Sequence, residues 1–290
     1  MSYARIALLT TLTMIAFASN SLLCRIALKD TGIDAASFTT IRLISGALML
    51  WALVRIRSGK ENSGGSWLSS AALFVYAAGF SFAYISLPAA TGSLLLFGAV
   101  QITMIGYGIW SGERLLGLQL AGLLLAFGGL VGLLLPGLSA PPLFGSLLML
   151  GAGAAWGIYS LRGRGAGDPL NATAGNFIRT APLAVVLSLF LFKGTSLNNA
   201  GILFAISSGA LASGIGYAIW YTVLPALKAT QAATVQLSVP IIAALGGIIF
   251  LGETISWRLV FASIAILGGI ALVILEKQRT SDKRQSMQES

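Results

Sequence analysis

Few residues in this chain of 290 amino acids are suited to catalysis or metal binding. The sequence has no histidine, which is the commonest proton shuttle and metal ligand, and it has a single cysteine, Cys24. Nucleophilic or acid–base catalysis would need a histidine, paired carboxylates or an activated serine, and no such arrangement is recognisable. We therefore expect no enzyme activity, no cofactor and no metal site.

The acidic residues lie at the ends of apolar segments or between them, never in the middle. Two of them, Glu113 and Glu253, each follow a glycine at the C-terminal end of a predicted helix. A carboxylate there opposes the helix dipole, so we expect a compensating partner: Arg114, Arg258 or the N-terminus of the next helix. Two interpretations remain open for this pair, a structural turn and a gate. The absence of carboxylates from the middle of the segments argues against proton coupling.

Two arginines interrupt otherwise apolar segments. Arg42 and Arg179 occupy stretches that would be free of charge without them. An arginine at the centre of a bilayer costs about 2.5–3.5 kcal/mol on insertion scales, so such a side chain either reaches the interface or faces a wet cavity. In a cavity, these residues would hold a gate or attract a substrate carboxylate.

Aromatic and amide side chains recur at helical spacing. Tyr76, Phe80 and Tyr84 follow one face of a predicted third helix, and Tyr217 and Tyr221 have the same spacing in the eighth. An aromatic, uncharged cavity would suit apolar or aromatic zwitterions, whereas the alternative interpretation is that these rings only fill packing gaps. The candidate cavity residues are Asn20, Tyr76, Phe80, Tyr84, Gln101, Trp156, Tyr159, Tyr217, Tyr221 and Gln236.

Three prolines are candidate hinges: Pro88, Pro225 and Pro240. Pro88 and Pro225 follow a leucine in matching turns, and Pro240 lies inside the predicted ninth helix. A proline within a helix removes a backbone hydrogen bond and frees a carbonyl group, which permits a bend.

The elements that carry these residues are predicted from composition. Hydrophobic residues make up 56% of the chain, charged residues 9%, and the mean hydropathy is +0.87. A soluble domain carries roughly 25% charged residues, so the chain is expected to reside in lipid. The gaps between charges hold eight apolar spans, and two more contain only Arg42 or Arg179. The spans do not alternate as the strands of a β-barrel would, so we predict an all-α integral membrane protein with ten transmembrane helices.

The distribution of Lys and Arg predicts the orientation. With the N-terminus in the cytoplasm, 12 of the 18 basic residues lie in inside segments and 4 in outside segments, Arg42 and Arg179 being the remainder. We expect a multi-pass protein of the bacterial inner membrane with both termini cytoplasmic. The net charge of +9 then reflects orientation, and we expect no nucleic-acid partner.

The second half of the sequence repeats the first at an offset of about 137–140 residues. Gly112-Glu113 falls on Gly252-Glu253, Gly128-Gly129 on Gly268-Gly269, and Arg42 on Arg179. The predicted units are a first five-helix repeat over 1–137, a second over 138–275, and a polar cytoplasmic tail over 276–290 that we expect to be disordered. Five helices are an odd number, so the second repeat would be inverted in the membrane. Inverted repeats are a recurring plan of secondary transporters.

The ten helices, the Gly-Glu pairs and the Gly-Gly pairs resemble the drug/metabolite transporter superfamily, specifically its EamA-type members and, within them, the YddG-type exporters of amino acids. The resemblance implies export of small metabolites by alternating access, with no covalent chemistry. The expected substrates are aromatic and other neutral amino acids, and the alternative is a drug or a nucleotide-related metabolite. The rivals from other classes are a membrane-embedded enzyme and a purely structural membrane protein. We expect a monomer or a homodimer in the lipid bilayer.

Overall fold

The computed structural model describes residues 2–58, 64–112, 117–137, 140–163, 167–191, 198–227 and 235–288, and these residues form ten helices. Eight of the helices are long and apolar enough to cross a membrane, and two are shorter apolar helices, α3 and α9. The helices are α1 (Tyr3–Asp30), α2 (Ala35–Ser58), α3 (Trp67–Ala83), α4 (Ala89–Trp110), α5 (Gly117–Leu134), α6 (Leu143–Gly163), α7 (Pro169–Leu191), α8 (Asn199–Ala226), α9 (Ser238–Leu251) and α10 (Trp257–Gln288).

The exterior of the bundle is apolar, as contact with lipid requires. Large hydrophobic side chains such as Phe190, Phe250 and Phe261 are more than two-thirds exposed on the outer faces of their helices. In water such surface would be unfavourable, whereas in hydrocarbon it is the solvated state. The composition and the fold together define an all-α integral membrane protein.

Short polar side chains begin several helices. The hydroxyl of Ser66 accepts a hydrogen bond from the Ser69 amide at the start of α3, and the Asn198 side chain accepts one from Gly201 at the start of α8. Each such cap satisfies an amide that has no partner within the helix. At the C-terminal end of α9, Gly252 adopts a left-handed conformation with φ 61°, which turns the chain back over the helix end.

Helix α8 is not a continuous α-helix. Its central segment, Ser207–Ile215, is a π-helix, and α-helical segments, Asn199–Ile206 and Gly216–Val223, lie on either side of it. This segment packs against α1 and α2. Gly209 makes that approach possible, because a Cβ atom there would collide with the carbonyl oxygen of Arg42.

The helices pack in pairs that match between the two halves. α2 contacts its own counterpart α7, and α5 contacts its counterpart α10. The contact of α3 with α6 is matched by that of α8 with α1, and the contact of α4 with α6 by that of α9 with α1. A two-fold relation between the halves would produce this set of pairs.

Glycines bring α5 and α10 together. A Cβ atom on Gly122 would lie 2.6 Å from the Gly269 carbonyl oxygen, and one on Gly129 would lie 2.7 Å from the Ala265 Cβ. Gly128 and Gly268, by contrast, have open space where a side chain would be. The second glycine of each Gly-Gly pair therefore serves helix packing, as small residues do in membrane bundles.

The end of the chain differs from the prediction of a disordered tail. The structure continues α10 from the span Trp257–Glu276 through to Gln288. The added segment contains neither glycine nor proline and is rich in Lys, Arg and Gln. These residues propagate an existing helix at little cost, which explains the extension.

Candidate functional site

A small cavity lies at the centre of the bundle. It is lined by side chains from α1, α3, α4, α6, α8 and the residues before α9, namely Phe17, Asn20, Ser21, Tyr76, Phe80, Leu96, Phe97, Trp156, Tyr217 and Gln236. The space open to the centres of water molecules is about 20 Å³, which is room for one or two waters. The bundle must therefore widen at this point before it can hold a metabolite.

Aromatic rings form most of the cavity wall. The Trp156 ring centroid lies 4.7 Å from that of Tyr76 and 5.5 Å from that of Tyr217, the second pair being stacked. Phe17 packs on Tyr217 from α1 at 5.6 Å. The rings come from helices of both halves, so the cavity lies between the two predicted repeats.

Two further predicted residues lie behind this wall rather than at it. Tyr159 stacks on Trp156, and Tyr221 stacks on Tyr217. Their hydroxyl groups both contact the Thr173 hydroxyl on α7, Tyr159 as donor at 3.4 Å and Tyr221 as acceptor at 3.2 Å. These tyrosines support the lining rings and link them to α7.

Asn20 is held at the cavity by two serines of the π-helix. The Ser208 and Ser213 hydroxyls donate to the Asn20 Oδ1 atom at 2.8 and 3.4 Å. Residues five apart in an α-helix lie about 140° apart around the axis, so an α-helix would turn one of these serines away. A π-helix places residues i and i+5 on one side, which explains how both reach the same oxygen.

Arg42 lies directly behind two lining rings. Its side chain is 2% exposed, and its guanidinium carbon lies 4.7 Å from the Phe80 ring centroid and 5.5 Å from that of Tyr76. The Nη2 atom donates to the Tyr76 hydroxyl at 3.1 Å. Arg179, its predicted counterpart, is elsewhere: its Nη1 atom donates to the carbonyl oxygens of Gly64 and Gly175 at 2.7 and 3.0 Å. The two arginines therefore have different surroundings despite matching positions.

Besides Tyr159 and Tyr221, two more predicted cavity residues do not line the cavity. Tyr84 is fully buried at the end of α3, where its hydroxyl donates to the Ala89 carbonyl oxygen at 3.4 Å and its ring covers Gly92. Gln101 is buried on α4, one turn beyond the lining residue Phe97. Tyr84 continues the face of Tyr76 and Phe80, since its amide donates to the Phe80 carbonyl oxygen and its ring packs edge-on against Phe80, but it lies one turn farther toward the end of α3 than the cavity does.

Four lining residues were absent from the predicted set: Phe17, Ser21, Leu96 and Phe97. Phe17 and Ser21 lie one turn apart on either side of Asn20 and match Trp156 and Ser160 in the repeat, which was a usable signal. Leu96 and Phe97 lie in a wholly apolar stretch of α4, where sequence offers no basis for choosing between the residues.

Glu253, which follows α9, contacts both α4 and α1 at one end of the bundle. We call this end, where Arg25 lies, the Arg25 end. The Glu253 carboxylate accepts hydrogen bonds from the amide of Ala89, the first residue of α4, at 3.0 and 2.8 Å. The Arg25 Nε atom lies 3.5 Å from the same carboxylate, and the Arg25 Nη1 atom donates to the carbonyl oxygens of Tyr84 and Ile85. The compensating partner of Glu253 is thus the N-terminus of α4 together with Arg25. Glu113 lies outside the described residues.

The opposite end of the bundle, which we call the Arg57 end, has its own ion pair. The Arg57 side chain donates to the Asp168 carboxylate, which also accepts from the Asn171 amide at the start of α7. Partial burial raises the pKa of Asp168, but the bonds from Arg57, Asn171 and Leu170 outweigh it and hold this pKa below its ordinary value. Asp168 therefore stays ionised across the physiological pH range.

The three prolines occupy different places relative to the helices. Pro88 directly precedes the first residue of α4, and Pro225 lies in the short 3-10 turn that ends α8. The chain is helical at Val235 and Gln236, leaves the helical pattern at Leu237 and resumes with α9 at Ser238. Pro240 has no amide hydrogen to donate to the Gln236 carbonyl, which accounts for the interruption beside the cavity.

The described residues form ten apolar helices, five of which contribute side chains to one ring-lined cavity, and this arrangement defines a multi-pass membrane protein of the transporter class. The sequence profile of the EamA-like transporter family matches residues 143–275, so the second half of the chain carries an EamA-like transporter domain. The chain is 58% identical to an uncharacterized protein of Pseudomonas aeruginosa over 93% of this chain and 94% of that protein. It is 24% identical to an uncharacterized transporter of Archaeoglobus fulgidus over 94% and 98% of the two chains.

Two other similarities bear on function and fold. The chain is 32% identical to the threonine/homoserine exporter RhtA of Salmonella typhimurium over 43% of each chain. A solved crystal structure superimposes with a TM-score of 0.66 and 18% identity, covering 94% of this chain and 98% of the other. At that identity the superposition shows a shared fold and nothing about the substrate.

Proposed function

We propose that this transporter exports small neutral metabolites, above all aromatic and other neutral amino acids, across the bacterial inner membrane. The observation that carries the proposal is the composition of the cavity wall, which is mostly aromatic, includes the polar side chains of Asn20, Ser21 and Gln236, and has no carboxylate or lysine among its lining residues. Rings offer stacking to an apolar side chain, while amides and hydroxyls serve a zwitterionic backbone.

The composition disfavours the alternative substrates of the same superfamily. A polyaromatic cation would be attracted by acidic side chains, and a nucleotide would need several basic ones. The cavity wall holds neither. The similarity to a protein named as a threonine/homoserine exporter favours amino acids further, although it covers 43% of the chain.

The mechanism that we propose is alternating access between two inverted repeats, residues 1–137 and 138–275. The matched helix pairs support it. A difference between two equivalent helix interfaces, that of α9 with α1 and that of α4 with α6, supports it as well. Gly246 on α9 is buried against Leu22 of α1, whereas its counterpart Gly106 on α4 is exposed and has open space beside it. With the Glu253 contacts added, this conformation is closed at the Arg25 end, which the distribution of basic residues assigns to the outside of the cell.

We propose that transport is not coupled to protons. Proton-coupled transporters use a carboxylate or histidine within the membrane, and this sequence has no histidine and no acidic residue in the middle of a span. The substrate would then move down its own gradient.

The test is the flux of labelled phenylalanine, threonine and alanine in proteoliposomes of the purified protein. Flux is measured with and without imposed pH and voltage gradients. Saturable flux of the amino acids that is insensitive to the pH gradient is the expected result. Failure of all three amino acids to move would refute the substrate class, and dependence on a pH gradient would refute uncoupled transport.

A further inference from the structure

Arg42 is a buried cation whose hydrogen-bonding capacity is only partly used. Its Nη2 atom donates to the Tyr76 hydroxyl, but its Nη1 atom is buried without a hydrogen-bond partner. The described residues supply no carboxylate in ion-pair distance of it. Burying a charge without a counterion is costly, because the charge loses its hydration and gains no ion pair in exchange.

The neighbouring rings compensate this charge only in part. The guanidinium group lies over the Phe80 ring and beside the Tyr76 ring at cation–π distances. Such contacts attract a cation but accept no directed hydrogen bond from Nη1. Purely structural needs do not explain the arrangement either, because Arg179, at the equivalent position of the second half, has its Nη1 bonded to two backbone carbonyl oxygens.

Tyr76 connects Arg42 to the cavity. Tyr76 lines the cavity, and its hydroxyl oxygen accepts the bond from Arg42, so the hydroxyl proton is left to be donated elsewhere. A hydroxyl that accepts from a cation is polarised and becomes a stronger donor, as cooperative hydrogen-bond chains do. The natural acceptor for this donor, beside an uncompensated positive charge, is an anion.

We propose that the Tyr76 hydroxyl, backed by Arg42, is the subsite for the carboxylate group of the transported molecule. Tyr76 makes the contact, and Arg42 is a positioning residue that orients and polarises the hydroxyl. The inference rests on the proposed function and deepens it, because it makes a carboxylate group a requirement for binding. Amines without a carboxylate then bind poorly even when their aromatic part fits the ring-lined cavity.

The test compares two fragments of phenylalanine as competitors of phenylalanine flux in proteoliposomes. 3-Phenylpropionate keeps the carboxylate, and phenethylamine keeps the ammonium group. For the wild-type protein we expect half-inhibition by 3-phenylpropionate at a concentration about 10- to 100-fold lower than by phenethylamine, the range that a charge-assisted hydrogen bond supplies. Equal inhibition by the two fragments would overturn the subsite.

Variants of Tyr76 and Arg42 test whether these residues cause the preference for 3-phenylpropionate over phenethylamine. Tyr76→Phe keeps the ring, so it should raise the KM for phenylalanine about tenfold with little change in the maximal rate and should remove the preference between the fragments. Arg42→Gln should act in the same way, Arg42→Lys should retain part of the preference, and the double variant should be no worse than the worse single one. Tyr107→Phe, on the exposed end of α4, is the matched control and should keep the wild-type preference. A wild-type KM and preference in Tyr76→Phe would refute the assignment.

Thermal stabilisation of the detergent-purified protein by 3-phenylpropionate separates this inference from the proposed function. Stabilisation of the wild type but not of Tyr76→Phe supports the subsite even if no amino acid is transported. Amino-acid flux without any difference between these two proteins in stabilisation or preference would leave the function standing and refute the subsite.

Discussion

The carboxylate of Glu253 lies 2.8 Å from the amide nitrogen of Ala89, so a residue that follows α9 caps the first turn of α4. The contact joins the two halves of the chain at the Arg25 end. It places a negative charge at a helix N-terminus, where the dipole favours it, and Arg25 lies beside it. A conformational change that opens this end must break the contact.

Glu253→Gln should therefore favour opening at the Arg25 end. A reporter cysteine at Leu22, in a Cys24→Ala background, lies at the seam with Gly246 and should react slowly with a membrane-impermeant thiol reagent. Loss of the charge should raise the labelling rate about fivefold, which corresponds to about 1 kcal/mol. Asp30→Asn, which removes an exposed carboxylate from the end of α1, should leave the rate unchanged. Equal labelling rates in both variants would contradict a role for Glu253 in closure.

Trp156→Leu should weaken binding of aromatic substrates selectively. Trp156 contacts the rings of Tyr76, Tyr159 and Tyr217 and lines the cavity. Loss of stacking with a substrate ring should raise the KM for phenylalanine about 3- to 10-fold and that for alanine much less. Trp257→Leu serves as the control because that ring is 77% exposed at the start of α10. A parallel rise for both amino acids would show that Trp156 serves packing alone.

Gly269→Leu should destabilise the protein, and Gly268→Leu should not. A side chain at 269 meets the backbone of α5, whereas position 268 has no atom within 4 Å of a Cβ. Overpacking costs about 1–3 kcal/mol, so the melting temperature in detergent should fall by about 5 °C for the first variant. If Gly268→Leu were instead the more damaging change, the face at 268 would be covered by another molecule, for which a second copy of the chain would be the first candidate.

The ion pair of Asp168 and Arg57 should contribute little to the stability of the folded protein, and this contribution should be present only above acidic pH. A carboxyl group with a lowered pKa stabilises the folded state above its ordinary pKa of about 4, and this contribution is lost as the pH falls through the lowered value. Asp168→Asn keeps a helix-capping side chain but loses the charge, so it should cost less than about 1 kcal/mol between pH 5 and 8.

The dependence on pH provides the check on that pair. The difference in melting temperature between wild type and Asp168→Asn should be constant from pH 8 to 5 and should shrink below about pH 4. Asp168→Ala removes the cap as well and should be worse than Asp168→Asn at every pH. A difference that grew on acidification would mean that the pKa of Asp168 is raised, not lowered.

The helices were predictable because the hydrocarbon core excludes charge. The gaps between charged residues located eight of the helices, and two apolar stretches interrupted only by Arg42 or Arg179 located the other two. The turn at Leu87-Pro88 and the break near Pro136 fall between helices as expected. Helical spacing predicted which face of α3 lines the cavity but not how far along the helix the cavity extends. Tyr76 and Phe80 lie one turn apart on α3 and both line it, whereas Tyr84, on the same face, lies one turn farther toward the end of that helix.

The surroundings of Arg42 and Asn20 were beyond what the sequence could provide. The position of the Arg42 side chain between two rings depends on how α2 packs against α3, a tertiary relation with no local signal. Ser208 and Ser213 are five residues apart, a separation that the period of 3.6 assigns to different faces, so the sequence offered no reason to join them to one partner. Only the π-helix brings the two serines to one amide oxygen.

The π-helix also sets the orientation, about the helix axis, of the residues that follow it in α8. The segment Ser207–Ile215 has more residues per turn than the flanking α-helical segments, so Gly216–Val223 is rotated about the axis relative to a uniform α-helix. Tyr217 points at Phe17 and Trp156 because of that rotation. Conversion of this segment to α-helix would swing Tyr217 out of the ring-lined wall, so a change of helix type at Ser207–Ile215 would reshape the wall by rotation of α8 about its own axis.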